Sequence, residues 1–198
     1  FSREYTDKLK GIDASKLAGM DAVNLATVLY DGVTTNIGLD TYRFGNTGSP
    51  NPYRISQLGG AYRDIPDFLD TMHSIETEAD AEAYLSRLDA FGDLLDQETA
   101  LVRADMDMGI VPPDFVIDRT LTQMNAGVAA DPAESGLVTS LTRRAAAAGV
   151  EGDWAARASA IVADKVYPAL RRQIALFEGV RPTARHDAGV WALPHAEG

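Results

Sequence analysis

The chain has 198 residues, of which 45% are hydrophobic and 24% charged, with a formal net charge of −11 and no cysteine. This is enough apolar material for one sizeable core and too much for a disordered polymer. Disulfide scaffolds, thiolate zinc sites and cysteine nucleophiles are excluded, and dispersed acidic charge without a Lys/Arg cluster argues against a nucleic-acid partner.

No apolar run approaches the roughly 20 residues that cross a bilayer, so no membrane span is expected. In chain order, the first expected helix lies within residues 15–31. Leu17, Met20, Leu25 and Val28 fall near helical spacing, and Asp13 or Ser15 can cap its start. The Gly-, Asn-, Thr- and Pro-rich stretch that follows reads as loop from Phe44 to Pro52, within a wider inter-helix connection over 44–62. Ile65, Phe68, Leu69 and Met72 form the apolar side of a short helix with Pro66 in its first turn.

Thr77 followed by Asp80 is a capping arrangement that opens a long helix. Its apolar face is Tyr84, Leu88, Phe91, Leu95 and Val102, and Gly109 closes it. The sequence VPPDF opens the next helix, with Val116, Leu121 and Met124 on its inner side. ESGLVTSLTRRAAAAG forms a shorter one ending at Gly149. The last helix begins near Asp153 and carries Trp154, Ala158, Ile161, Val162, Val166, Leu170, Ile174 and Phe177, with a kink expected at Pro168. The expected architecture is all-α, a single domain folded as an irregular antiparallel bundle of about six helices. The start at Phe1 and the ending VWALPHAEG suggest a piece of a larger protein.

Chemistry is sparse along this frame. The histidines are His73, His186 and His195, and no two sit four apart as a helical zinc pair would. His73 and Glu76 have ligand-like separation, but a histidine beside a helix end reads as a capping group. His195 and Glu197 lack the Pro-Cys-x-x-Cys half of a zinc deaminase. No Gly-x-Ser-x-Gly elbow and no phosphate-binding glycine loop surrounds Ser56 or Gly59-Gly60. No catalytic residue and no metal ligand is assigned. The candidate substrate contacts are Tyr53, Gln57 and Tyr62, in a stretch whose glycines and prolines otherwise make a turn.

Five segments in order, PYRISQLGGAYRDIPDFL, TEADAEAYLSRLDAFGDLLDQE, GIVPPDFVIDRTLTQM, VYPALRR and GVWALP, carry a resemblance. From about residue 20 onward the chain resembles the N-terminal part of the bacterial domain of unknown function 885 family. The resemblance implies helical zinc-dependent peptidases of the broad gluzincin type, commonly exported. Their His-Glu-x-x-Pro-Gly-His-His helix would hold zinc and activate water. That helix is absent here, so the resemblance places zinc outside this chain and transfers no ligand to any residue in it. Relatives continue past Trp191-Ala-Leu-Pro with a Gly-Glu-x-Tyr-Tyr type segment, whereas here Pro194 precedes His195-Ala-Glu-Gly. The implied role is a non-catalytic wall of a peptide channel, whose partner is the catalytic region of the same parent chain. The alternative is a stand-alone helical binding or scaffold module.

Overall fold

The computed structural model describes residues 2–41, 44–45 and 51–189. Trp191, the His195–Glu197 pair and most of the expected 44–52 loop lie outside them. The regular structure of the described residues is helical: α1 (Ser2–Lys10), α2 (Met20–Thr41), α3 (Ala61–Thr71), α4 (Glu78–Asp107), α5 (Asp114–Gly127), α6 (Gly136–Ala147), α7 (Trp154–Ile161) and α8 (Tyr167–Val180). No strand occurs among them; Ser56 and Gly59 form an isolated bridge. The all-α expectation holds.

α4 is the axis. Thr77 accepts from the Asp80 backbone while Asp80 accepts from Thr77, a complete capping box. Tyr84, Leu88, Phe91, Leu95 and Val102 are buried as their spacing requires, each contributing about 1.5–3 kcal/mol of apolar burial. Gly109, at φ 85°, supplies the left-handed residue that ends the run.

α7 and α8 are one rod, joined by a π-helical turn over Val162–Val166. Pro168 sits just beyond it. Its ring has no N–H to donate and would crowd the Asp164 carbonyl of a regular helix. The chain takes the wider turn instead, and Tyr167 N–H reaches back to Val162. The irregularity expected at Pro168 is therefore spread over the five residues preceding Tyr167.

This rod runs parallel to α4. Glu82 pairs with Arg157, Asp89 with Lys165 and Asp96 with Arg172, at 2.5–2.6 Å. From 82 to 96 α4 advances fourteen residues, while 157 to 172 advances fifteen. The π turn absorbs the extra residue. All six side chains are about half exposed, so solvent screens the pairs and they serve register more than stability. α5 runs back the other way, with Asp118 near its start paired to Arg181 beyond the end of α8.

At the N-terminus the structure departs from the sequence reading. Asp13 caps only a short 3-10 turn, Ala14–Lys16, and α2 starts later, at Met20, and runs on to Thr41. An additional helix, α1, packs antiparallel to α2, with Ser2 donating to Asn36 at 3.1 Å. α3 also begins earlier than expected, at Ala61, so Pro66 lies inside it and the preceding loop stops at Gly60. Gly60 adopts φ 130°, and the Glu98 carboxylate receives the first backbone N–H of the helix. These two features set the early start. The buried face is then Ala61, Tyr62 and Leu69, while Phe68 and Met72 face solvent.

Candidate functional site

A cleft of about 1000 Å³ opens between α3 and α6, with α4 and the start of α8 as its floor. Three phenols and one phenyl ring line it: Tyr62, Tyr84, Phe91 and Tyr167. Each sits there for a helical reason. Tyr62 is on the first turn of α3, Tyr84 and Phe91 belong to the seven-residue stripe of α4, and Tyr167 is placed by the π turn. Burial raises the pKa of all three phenols, those of Tyr62 and Tyr84 to about 12. They are hydroxyls at neutral pH and cannot act as bases.

Two of these hydroxyls are engaged. Tyr84 donates to the Leu137 carbonyl at 2.8 Å. Tyr62 has the Ser56 carbonyl at 2.9 Å and Gln123 Oε1 at 2.5 Å as acceptors for its single proton. Tyr167 differs: it is 2% exposed and its Oη has no hydrogen-bond partner among the described residues. The Ser135 hydroxyl on the cleft wall is its neighbour, a side-chain hydrogen-bond contact outside ideal geometry that works against the burial-driven rise of the phenol's pKa. The rim carries Asp67, Asp70, Ser140 and Arg143. Asp70 accepts from Ser140 at 2.5 Å and faces Arg143 at 3.5 Å. The Asp67 carboxylate makes no bond among the described residues.

Behind the rim, Arg144 holds the wall in place. It donates to the Leu69 and His73 carbonyls, clamping the end of α3 to α6. His73 is fully occupied: Nε2 lies 2.9 Å from the Asp80 carbonyl and Nδ1 meets Arg87. The ring therefore links the end of α3 to α4 through both nitrogens. No group of three His, Asp or Glu residues among the described residues is placed to hold a metal ion.

Glu98 stands under the start of α3. It accepts from Ala61 N–H and from Gln173 Nε2 at 3.3 Å. Desolvation raises its pKa above the ordinary 4.5, so the folded chain holds this proton more tightly than the unfolded chain. Stability from this group is complete below pH 4.5 and declines as pH rises through the native value. Urea unfolding from pH 4 to 7 should show a shallower decline for Glu98→Gln than for the wild type. An unchanged slope would mean that Glu98 is solvated.

Of the three candidate contacts, Tyr62 lines the cleft. Gln57 is half buried outside it, with Oε1 enclosed and unpartnered. Tyr53 stands elsewhere, its hydroxyl bonded at 3.1 Å to both the carbonyl and N–H of Gly189. Tyr84, Tyr167 and Asp67 were not singled out from sequence. Tyr84 is hidden within a core stripe, and no local pattern marks Tyr167. A second groove of about 870 Å³ runs between α4 and α8, but its Asp96 and Arg172 already pair with each other.

With this geometry in hand, comparisons with known proteins bear on the whole chain. The family model described as "Bacterial protein of unknown function (DUF885)" matches residues 1–197. No curated protein matches. A solved structure, a "putative lipoprotein" from Colwellia psychrerythraea, is similar with a TM-score of 0.83 at 19% identity, over 98% of this chain and 34% of that one. At this identity the likeness concerns the fold, and this chain spans about a third of the length of that protein. No described helix is long and apolar enough to cross a membrane.

Proposed function

The chain belongs to the DUF885 family of bacterial proteins, and we propose that it is the non-catalytic helical N-terminal region of a larger zinc-dependent peptidase. In this reading it forms one wall of the peptide channel, and the α3–α6 cleft faces the substrate. Zinc and the water-activating glutamate come from the catalytic region of the same parent chain, which is its partner.

The observation that carries the reading is the extent of the match: nearly all of this fold corresponds to 34% of a longer chain. The ordered segment resemblance supports the N-terminal position. Uncovered apolar side chains add support, since Met20, Val23, Tyr30 and Ile37 on α2 and Met72 after α3 are all more than half exposed. Bare apolar surface of this kind is what a separated wall leaves behind. An exported location belongs to the same proposal and is favoured by the lipoprotein description of the structural neighbour.

The stand-alone helical binding module is a second reading. It is favoured by the continuous core that α3 to α8 close among themselves. The test is the full open reading frame, expressed and assayed for bound zinc and for chelator-sensitive peptide cleavage. The proposal expects both in the full protein and neither in this chain alone. A frame ending near Gly198, or a full protein without zinc, would turn the assignment to the binding module.

A further inference from the structure

We infer that the outward face of α2 is a docking surface for an apolar helix face from the C-terminal region of the same parent chain. The inference rests on the proposed reading for the existence of that region, and on α2 alone for the face. α1 and α2 pack on each other as a hairpin. Among the described residues the hydrophobic core runs from Ile55 to Phe177 and takes no side chain from either helix. One side of α2 is used within the hairpin: Asn36 meets Ser2 at 3.1 Å, and a Cβ on Gly32 would strike the Thr6 hydroxyl. At about 100° per residue, the opposite side carries Met20, Val23, Thr27, Tyr30, Thr34 and Ile37, all exposed. They recur at alternating steps of three and four, the spacing of a seam that packs along another helix.

The chemistry of the stripe narrows the occupant. It holds no charged residue, and its polar groups are already served. Thr27 donates to the Val23 carbonyl at 2.8 Å and Thr34 to the Tyr30 carbonyl at 2.7 Å. A hydroxyl bonded within its own helix needs no donor or acceptor from outside, so an apolar helix face can cover the whole stripe without stranding a polar group. A second copy of this chain fits less well. Six side chains are far fewer than the roughly 20–30 residues a side that a stable dimer buries, and two chains of net charge −11 repel each other. A covalently linked region needs less area, because the tether already holds it close. The length of chain fits as well: this fold corresponds to 34% of the similar solved structure, whose remaining length has no counterpart in these residues.

Thiol accessibility tests the docking, because the 198-residue chain contains no cysteine of its own. Val23→Cys on the stripe and Glu4→Cys on α1, whose side chain is exposed, are each placed in this chain and in the full-length protein. Alkylation by iodoacetamide is followed peptide by peptide with mass spectrometry. The expected result is that Val23→Cys reacts about tenfold more slowly in the full-length protein, while Glu4→Cys reacts alike in both. Tyr30→Lys should lower the unfolding midpoint of the full-length protein and leave that of the 198-residue chain unchanged, since Tyr30 is 76% exposed there. Equal Val23→Cys rates in the two would overturn the docking, and the peptidase reading would still stand if the same full-length protein binds zinc and cleaves peptide. Protection in a full-length protein that does neither would uphold the docking and remove the peptidase reading. Protection within the 198-residue chain that grows with its concentration would assign the face to a second copy and overturn the inference.

Discussion

Replacing Arg54 with leucine is expected to lower the unfolding free energy by about 3 kcal/mol, read as a shift of the urea midpoint at constant slope. Asp105, near the end of α4, is 4% exposed. Arg54 Nε lies 2.7 Å from its Oδ2, and Gly45 N–H donates to the same oxygen at 3.0 Å. Desolvating a carboxylate costs several kcal/mol, which a guanidinium at contact distance offsets. Leucine keeps most of the volume and leaves the charge enclosed with one backbone donor. The loss is thus electrostatic, and an Asp105→Asn background should recover part of it. A leucine variant as stable as the wild type would mean that water reaches Asp105.

Gly92→Ala is the second large effect, and its sign is decided by competition. In a helix interior alanine is favoured over glycine by about 1 kcal/mol. A Cβ at Gly92, however, would lie 3.0 Å from Lys165 Cβ and 3.2 Å from the Lys165 carbonyl carbon. The second of these is backbone, held by the π turn, and cannot rotate away. Overpacking of this kind costs about 1–3 kcal/mol, so a net destabilisation of about 1–2 kcal/mol is expected. Gly127→Ala is the internal control, because nothing lies within 4 Å of its Cβ position. It should be neutral or slightly stabilising. If both substitutions stabilise, α4 and the π turn are not in close contact.

How much of this was legible in the sequence depends on where burial is done by large side chains. The stripe Tyr84, Leu88, Phe91, Leu95 and Val102 marks α4 because seven-residue steps of bulky residues leave one reading. α1 has no such stripe. Its one buried residue is Thr6, docked where Gly32 gives α2 a gap, and a small polar contact leaves no hydrophobic period. The early start of α3 was hidden because its first N–H is capped by Glu98, thirty-seven residues away. No local pattern contains that contact.

The π turn was in the sequence, though not in the helical period alone. Trp154, Ala158, Val162, Val166, Leu170 and Ile174 recur every four residues and are all buried. At about 100° per residue, a four-residue step drifts about 40° each time. A stripe of that length would wind off the face it packs on, and one inserted residue returns it. Pro168 marks roughly where. The cleft was less legible, because its lining comes from five helices spread along the chain. Tyr62 lay in a stretch already suspect for its aromatics, whereas Tyr167 acquires meaning only once Ser135 and the rim of α6 stand opposite it.

The central claim is that this chain contacts a peptide substrate without performing the chemistry. The most direct measurement is the steady-state kinetics of the full-length protein on a peptide, wild type against Arg143→Ala at the exposed rim of the cleft. The account predicts a KM raised about tenfold with kcat unchanged, the signature of lost uniform binding. A kcat lowered by orders of magnitude at constant KM would place Arg143 in the catalytic machinery and contradict the claim. A full-length protein that cleaves no peptide would contradict it as well.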